Sequence, residues 1–210
     1  MAFIAGIINV VGLLGFEHET ITHLTGNTSR LAEALAKLDI PAALHLAALI
    51  GSFVVGTVIS GFIIQDGTLQ LGRKYSVVLL LESLLLFASI PFLRCQSVYG
   101  MYTAACASGL QNAMVSTYSG AVVRTTHLSG MFTDLGISLG HMMRGLPVNA
   151  KRLWLCCLVI SGFLSGGIIG TLAFKAFGYG ALLFPAGLTA IVSITYELYR
   201  IRNRTVDGAV

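Results

Sequence analysis

The sequence predicts an all-α membrane protein: six transmembrane helices plus two short half-helices, arranged as two inverted three-helix repeats. Three observations predict it. Apolar residues make up 55% of the chain and charged residues only 10%, where a soluble domain carries about a quarter charged residues. The apolar residues gather in runs of helical length, and a polar five-residue motif recurs almost half a chain later.

So few charges cannot coat a water-facing surface, so the apolar excess must face lipid. No linker or low-complexity tract interrupts the chain. It reads as one transmembrane domain over residues 1–210, with repeat 1 at about 1–95 and repeat 2 at about 96–210. The net charge is +4, but no Lys/Arg-rich run offers a nucleic-acid surface; in such a chain basic residues report orientation first. Cys95, Cys106, Cys156 and Cys157 form no C-x-x-C pair and read as small buried hydrophobes. The chain opens on an apolar run without a basic n-region, so no cleavable signal is expected. No cofactor is expected.

A helix needs about 20 residues to cross the hydrocarbon core. Segments 2–16, 42–65, 75–93, 98–118, 153–174 and 178–199 reach or approach that length, the first being short. Polar stretches 17–39 and 119–151 each hold a shorter half-apolar helical pattern, at 28–38 and 132–142. At about 1.5 Å per residue these reach only about halfway across, so they are expected as half-helices or surface helices. Were both to cross, the total would be eight and the repeats parallel. With six spans, Arg73, Lys74, Arg124, Arg144, Lys151, Arg152, Arg200, Arg202 and Arg204 share one side. Arg30, Lys37, Arg94 and Lys175 take the other. The excess of nine over four places both termini in the cytoplasm.

The repeat is read from a self-match. Thr22-His23-Leu24-Thr25-Gly26 recurs as Thr126-His127-Leu128-Ser129-Gly130, an offset of 104. Upstream, Ala5-Gly6-Ile7-Ile8-Asn9 faces Ser108-Gly109-Leu110-Gln111-Asn112. Downstream, Leu31 and Leu35 face Leu135 and Leu139, Pro41 faces Pro147, and Ser52, Gly56 and Ser60 face Gly162, Gly166 and Gly170. Each half carries three spans, an odd number, so the second half enters the membrane upside down.

These motifs resemble the YoaK family, domain of unknown function 1275. The resemblance rests on His23-Leu24-Thr25-Gly26-Asn27-Thr28, Gly109-Leu110-Gln111-Asn112 and Thr125-Thr126-His127-Leu128-Ser129-Gly130, and covers nearly the whole chain. It implies a polytopic inner-membrane protein of bacterial type, with transport the presumed role. His127 and Ser129 stand where that family more often has an aromatic or Met and a Thr.

The candidate substrate-binding residues are the motif residues His23, Thr25, Gly26, Asn27 and Thr28, with His127, Ser129 and Gly130. Thr25, Asn27 and Thr28 are placed to cap a half-helix, and Gly26 permits close backbone approach. A helix N-terminus at membrane depth presents N–H groups and a positive dipole end to an anion. Two such ends, one per half, would converge near the midplane, putting Thr25, Asn27 and Ser129 close together. The plainer alternative is a pair of capped surface helices. Asn9, Gln111 and Asn112 are polar groups within spans; they line the same cavity or tie helices together. Glu82 lies in Leu79-Leu80-Leu81-Glu82-Ser83-Leu84-Leu85. Intramembrane carboxylates usually face the bundle interior or an aqueous path, so Glu82 is the candidate for proton coupling, with a helix tie as alternative. His18, His23, His127 and His141, with Glu17 and Glu19, match no metal motif, so no metal site is predicted. The small residues of the 52–60 and 162–170 stripes permit close helix packing, within the bundle or at a homodimer interface.

The leading reading is a small-solute transporter or channel for an anionic or polar metabolite, with the lipid bilayer and that solute as partners. The alternatives are an intramembrane enzyme, with Ser108 or Ser129 as nucleophile, and a non-transporting scaffold or sensor.

Overall fold

The computed structural model describes residues 1–64, 73–119 and 124–207. Residues 65–72, 120–123 and 208–210, on which parts of the expected second span and of the segments expected to be cytoplasmic fall, lie outside the described residues, as do the side chains of 73 and 202–207. The described chain is helical: α1 (Ala2–Leu14), α2 (Leu24–Ala36), α3 (Ile40–Ile63), α4 (Arg73–Arg94), α5 (Tyr99–Tyr118), α6 (Leu128–Met143), α7 (Ala150–Phe177), a 3-10 turn (Gly178–Leu182) and α8 (Leu183–Asp207).

Among the described residues, three stretches are long and apolar enough to cross a membrane: Ile40–Ile63, Lys74–Arg94 and Ala150–Ile201. The last joins α7 to α8 through the 3-10 turn. These are the helices of a membrane protein. α5 is long enough, but Thr103, Gln111 and Asn112 lower its hydropathy. It is enclosed by α3 and α4, with Ala104, Ala105, Ala107 and Leu110 fully buried. α1 is apolar but has only 13 residues.

Local chemistry sets the ends. Asp39 Oδ1 accepts from the Ala42 N–H at 3.2 Å and starts α3, with Pro41 in its first turn. Asn149 Oδ1 starts α7 by accepting from Lys151 and Arg152 N–H groups at 3.1 and 3.3 Å. These are side-chain N-caps, and they sit at equivalent places in the two halves. α2 and α6 close with the same C-terminal turn. The Asp39 N–H donates to Ala34 O, and the Leu146 N–H to His141 O. A left-handed residue carries each turn, Leu38 at φ 55° and Gly145 at φ 70°. Glycine takes that conformation freely and leucine at a cost.

Helices exchange partners between halves. α3 packs on α5 and α1 on α7, while α1 does not pack on α3, nor α5 on α7, among the described residues. α4 packs on α5 and α8; α2 lies on α3 and α6 on α7. Missing side chains make both exchanges possible. A Cβ at Gly56 would fall on the Cys106 carbonyl oxygen, and one at Gly109 on that of Phe53. In the other exchange, a Cβ at Gly166 would fall on the Phe3 oxygen and one at Gly6 on that of Phe163. The small-residue stripes therefore serve backbone contact inside the bundle.

The contacts also give helix directions. His45 meets Tyr102 and Phe53 meets Gly109, so α3 and α5 run parallel. Ala2 meets Gly162 and Ile7 meets Gly170, so α1 and α7 run parallel. Leu93 meets Gly100 and Tyr75 meets Tyr118, so α4 opposes α5. Ser83 Oγ donates to Ala186 O and Ser193 Oγ to Ser76 O, so α8 opposes α4. The end of α7 meets the ends of α1 and α4: the Phe16 N–H donates to the Tyr179 hydroxyl at 2.9 Å, and Gly180 lies beside Arg94. Thus α1, α4 and α7 point one way and α3, α5 and α8 the other.

Candidate functional site

α2 and α6 begin alike. His23 and His127 are their N-cap residues, with nearly the same backbone angles (φ −94°, ψ 73° and φ −93°, ψ 60°), and neither end has a side-chain cap. The Asn27 N–H donates to His23 O and the Met131 N–H to His127 O, the first intrahelical bonds. The N–H groups of Leu24, Thr25 and Gly26, and of Leu128, Ser129 and Gly130, precede them and have no acceptor within the helix. Each imidazole folds over its own first turn. A Cβ on Gly26 would lie 2.7 Å from His23 Nδ1, and one on Gly130 2.7 Å from His127 Nδ1. These glycines make room for the rings.

Both helices therefore start four residues before the sequence reading placed them, at Leu24 instead of 28 and at Leu128 instead of 132. That reading needed Thr, Ser or Asn as the cap. Thr25 and Ser129 instead occupy the first turn. Asn27 is buried and turns back, its Nδ2 donating to Thr20 O at 2.9 Å, so it ties the preceding loop to α2.

The loops are drawn inward by asparagines of α1 and α5. The Thr22 N–H and Oγ1 donate to Asn9 Oδ1 at 3.2 and 2.7 Å. Thr125 Oγ1 approaches Asn112 Oδ1 at 3.4 Å. Both pairs are 13 residues apart, so the register between halves is 103 up to the loop and 104 beyond it.

Between the two helix starts lies a cavity of about 470 Å³. Asn9, Thr22, His23, Leu24 and Thr25 line it from one half, and Asn112, Thr126, His127, Leu128 and Ser129 from the other. Phe53 and Phe163, near the middle of α3 and α7, wall it, and Arg124 reaches it. Of the predicted binding residues, His23, Thr25, His127, Ser129, Asn9 and Asn112 meet here. Gly26, Asn27, Thr28, Gly130 and Gln111 do not line it. Among the described residues no carboxylate is in its wall. Arg124 was read from sequence only as an orientation charge; its position two residues before Thr126-His127 was the signal for more. The two phenylalanines were hidden among other apolar residues.

Glu82 stands elsewhere. It is fully buried between α4 and α5, where Gln111 Nε2 donates to its Oε1 at 2.8 Å. Its Oε2 has no hydrogen-bond partner among the described residues.

A vestibule flanks each motif helix. The one between α6 and α7, about 940 Å³, contains Asp134, Lys151 and Arg152 and shares Arg124, His127 and Ser129 with the central cavity. Arg152 Nη2 lies 2.9 Å from Asp134 Oδ1. The one between α2 and α3, about 760 Å³, contains Glu17, Glu19, Arg30, Glu33 and His45 and shares no lining residue with the cavity. Buried Glu19 pairs there with Arg30 at 3.1 Å, and its Oε2 lies 3.7 Å from His45 Nε2. His45 Nδ1 shares a 2.9 Å hydrogen bond with the Tyr102 hydroxyl. This chain of side chains joins the loop, α2, α3 and α5. Among the described residues no three His, Cys, Asp or Glu side chains gather to hold a metal.

A family model described as protein of unknown function (DUF1275) matches residues 1–195. It carries the numbered family of the resemblance, not the narrower YoaK name. No curated protein and no solved structure matches the chain.

Proposed function

We propose that this chain, which belongs to the DUF1275 family, moves a small anionic or polar solute across a membrane through the central cavity. The observation that carries this reading is that the uncapped N-terminal turns of α2 and α6, one from each half, line a single cavity. The free N–H groups and the positive dipole ends favour negative charge. Arg124 adds a full positive charge, while Asn9, Asn112, Thr25 and Ser129 can exchange hydrogen bonds with a solute. A cation would meet no carboxylate in this wall.

The fold reading that goes with it is six crossings in two inverted halves. Its support is the helix directions, since α1 opposes α5, α3 opposes α7 and α4 opposes α8. The half-helices α2 and α6 then enter from opposite faces and stop near mid-depth, where irregular backbone is tolerated only around a cavity or within protein. With both termini cytoplasmic, as the Lys/Arg distribution favours, the α6–α7 vestibule faces the cytoplasm and the described conformation is open to that side. The membrane proposed is a bacterial-type inner membrane.

The test is flux into proteoliposomes for inorganic anions and small carboxylates, run with the native chain and Thr25→Val/Ser129→Val. Movement of an anion by the native chain and its loss in the variant is expected. No movement of any of these solutes by the folded native chain counts against the reading. For Glu82, the proposal is proton coupling. Glu82→Gln should then preserve downhill flux and abolish flux driven by a pH gradient, whereas a mere helix tie would leave both. The enzyme alternative would gain only if a fluorophosphonate probe labelled Ser129, which shares the cavity with both imidazoles.

A further inference from the structure

α7 and α8 are consecutive and joined by a short turn, yet among the described residues they do not pack on each other. α7 goes to α1 and α8 to α4, because the small-residue face of α7 seeks the α1 backbone and the serines of α4 and α8 bond across their own seam. The divergence leaves a groove of about 520 Å³. Ile169 and Ala173 form one wall, Leu183 and Phe184 the other, with Ile7 at its base. No carboxylate among the described residues lines it. Among the described residues the single charged one in it is Arg94, from the last turn of α4, whose Nη2 would lie 3.2 Å from a Cβ on Gly180. Gly180 thus lets the guanidinium lie across the mouth.

In a bilayer a lipid-facing groove does not stay empty, and its contents must match an apolar trough ending in one cation. We propose that this groove is a site for an anionic phospholipid, with an acyl chain between α7 and α8 and the phosphate on Arg94. Arginine presents a planar fork suited to phosphate oxygens. A zwitterionic lipid brings a cationic amine to the same place and gains less. The inference rests on the groove and on membrane embedding, and stands whether or not the central cavity carries solute.

Native mass spectrometry of the full chain, released from detergent with phosphatidylglycerol or phosphatidylcholine of identical acyl chains, tests it. Retention of one phosphatidylglycerol is expected, preferred by about fivefold, the worth of one basic residue near a membrane surface. Arg94→Gln should equalise the two lipids, and Arg94→Lys, which keeps the charge without the fork, should leave an intermediate preference, which separates charge recognition from misfolding. Ala173→Trp, filling the trough, should lower retention of both lipids. Equal retention of both lipids by the native chain, or a preference undiminished in Arg94→Gln, overturns the proposal. So does displacement of the lipid by equimolar glycerol phosphate, which would make the site one for a free phosphate.

Discussion

In the first half, α2 folds against α3 around Glu19, Arg30, His45 and Tyr102; in the second, α6 folds against α7 around Arg124, Asp134, Lys151 and Arg152. The backbone plan is shared, down to the histidine start, the left-handed turn and the capped entry to the long helix. The side chains facing the vestibules are not. Where the first half has Arg30, the second has Asp134, and His45 corresponds to Leu155; Arg124 stands where the first half has Ile21, which is buried in the core and does not line its vestibule. Residues that touch neighbouring backbone are kept between halves, as in Gly56 and Gly166 or Gly6 and Gly109. A side chain facing water or solute has no packing partner to hold its identity, so the halves diverge there. The result is one vestibule that shares lining residues with the cavity and one that shares none.

The largest effect should come from what the halves share. Gly56→Ala and Gly166→Ala each push a methyl group onto a carbonyl oxygen of the facing helix. Each should cost about 1–3 kcal/mol, as overpacking does, and lower the melting temperature in detergent by similar amounts. A tolerated change at one crossing only would break the equivalence of the two exchanges.

What the halves do not share should govern function. Arg124→Gln removes the positive side chain in the cavity wall. Anion flux should fall about tenfold or more, the worth of a hydrogen bond to a charged group, while a neutral solute of similar size is unaffected. Equal losses for both solutes would assign Arg124 to folding.

Glu19→Gln should loosen the closed side. Arg30 is half exposed, so the loss is held to about 1–2 kcal/mol. The expected readout is faster labelling of Thr22→Cys by a thiol reagent entering from the α2–α3 side. An unchanged labelling rate would mean that this chain of side chains does not separate vestibule from cavity.

The smallest effect is expected at the matching ion pair of the open side. Arg152 is 59% exposed, and a double-mutant cycle with Asp134 should give a coupling below about 1 kcal/mol. A coupling above that of Glu19 with Arg30 would reverse the assignment of tight and loose corners.

Most of the helices were legible in the sequence because apolar runs of sufficient length have few alternatives in lipid. The half-helix patterns were legible as well, but their starts were misplaced by four residues in both halves. The rule that helices begin at Ser, Thr or Asn holds for Asp39 and Asn149, whose helix ends face polar surroundings. It fails at His23 and His127, where the first turn is left open to a cavity. The meeting of Thr25 and Ser129 was expected from the repeat. The absence of Asn27 and Gln111 from the cavity wall was not, since a buried amide looks the same in sequence whether it bonds a loop carbonyl, a carboxylate or a solute.

The sequence by itself determined the helical class and the apolar stretches long enough to cross a membrane, and it carried the self-match of the motifs, because hydropathy, periodicity and self-similarity are properties of the chain alone. Only the tertiary structure decided that α1 pairs with α7 and α3 with α5, that Arg124 reaches the cavity and that α7 and α8 part around a groove. Those depend on which surfaces meet across more than a hundred residues, and a glycine that admits a neighbour's carbonyl does not name the neighbour.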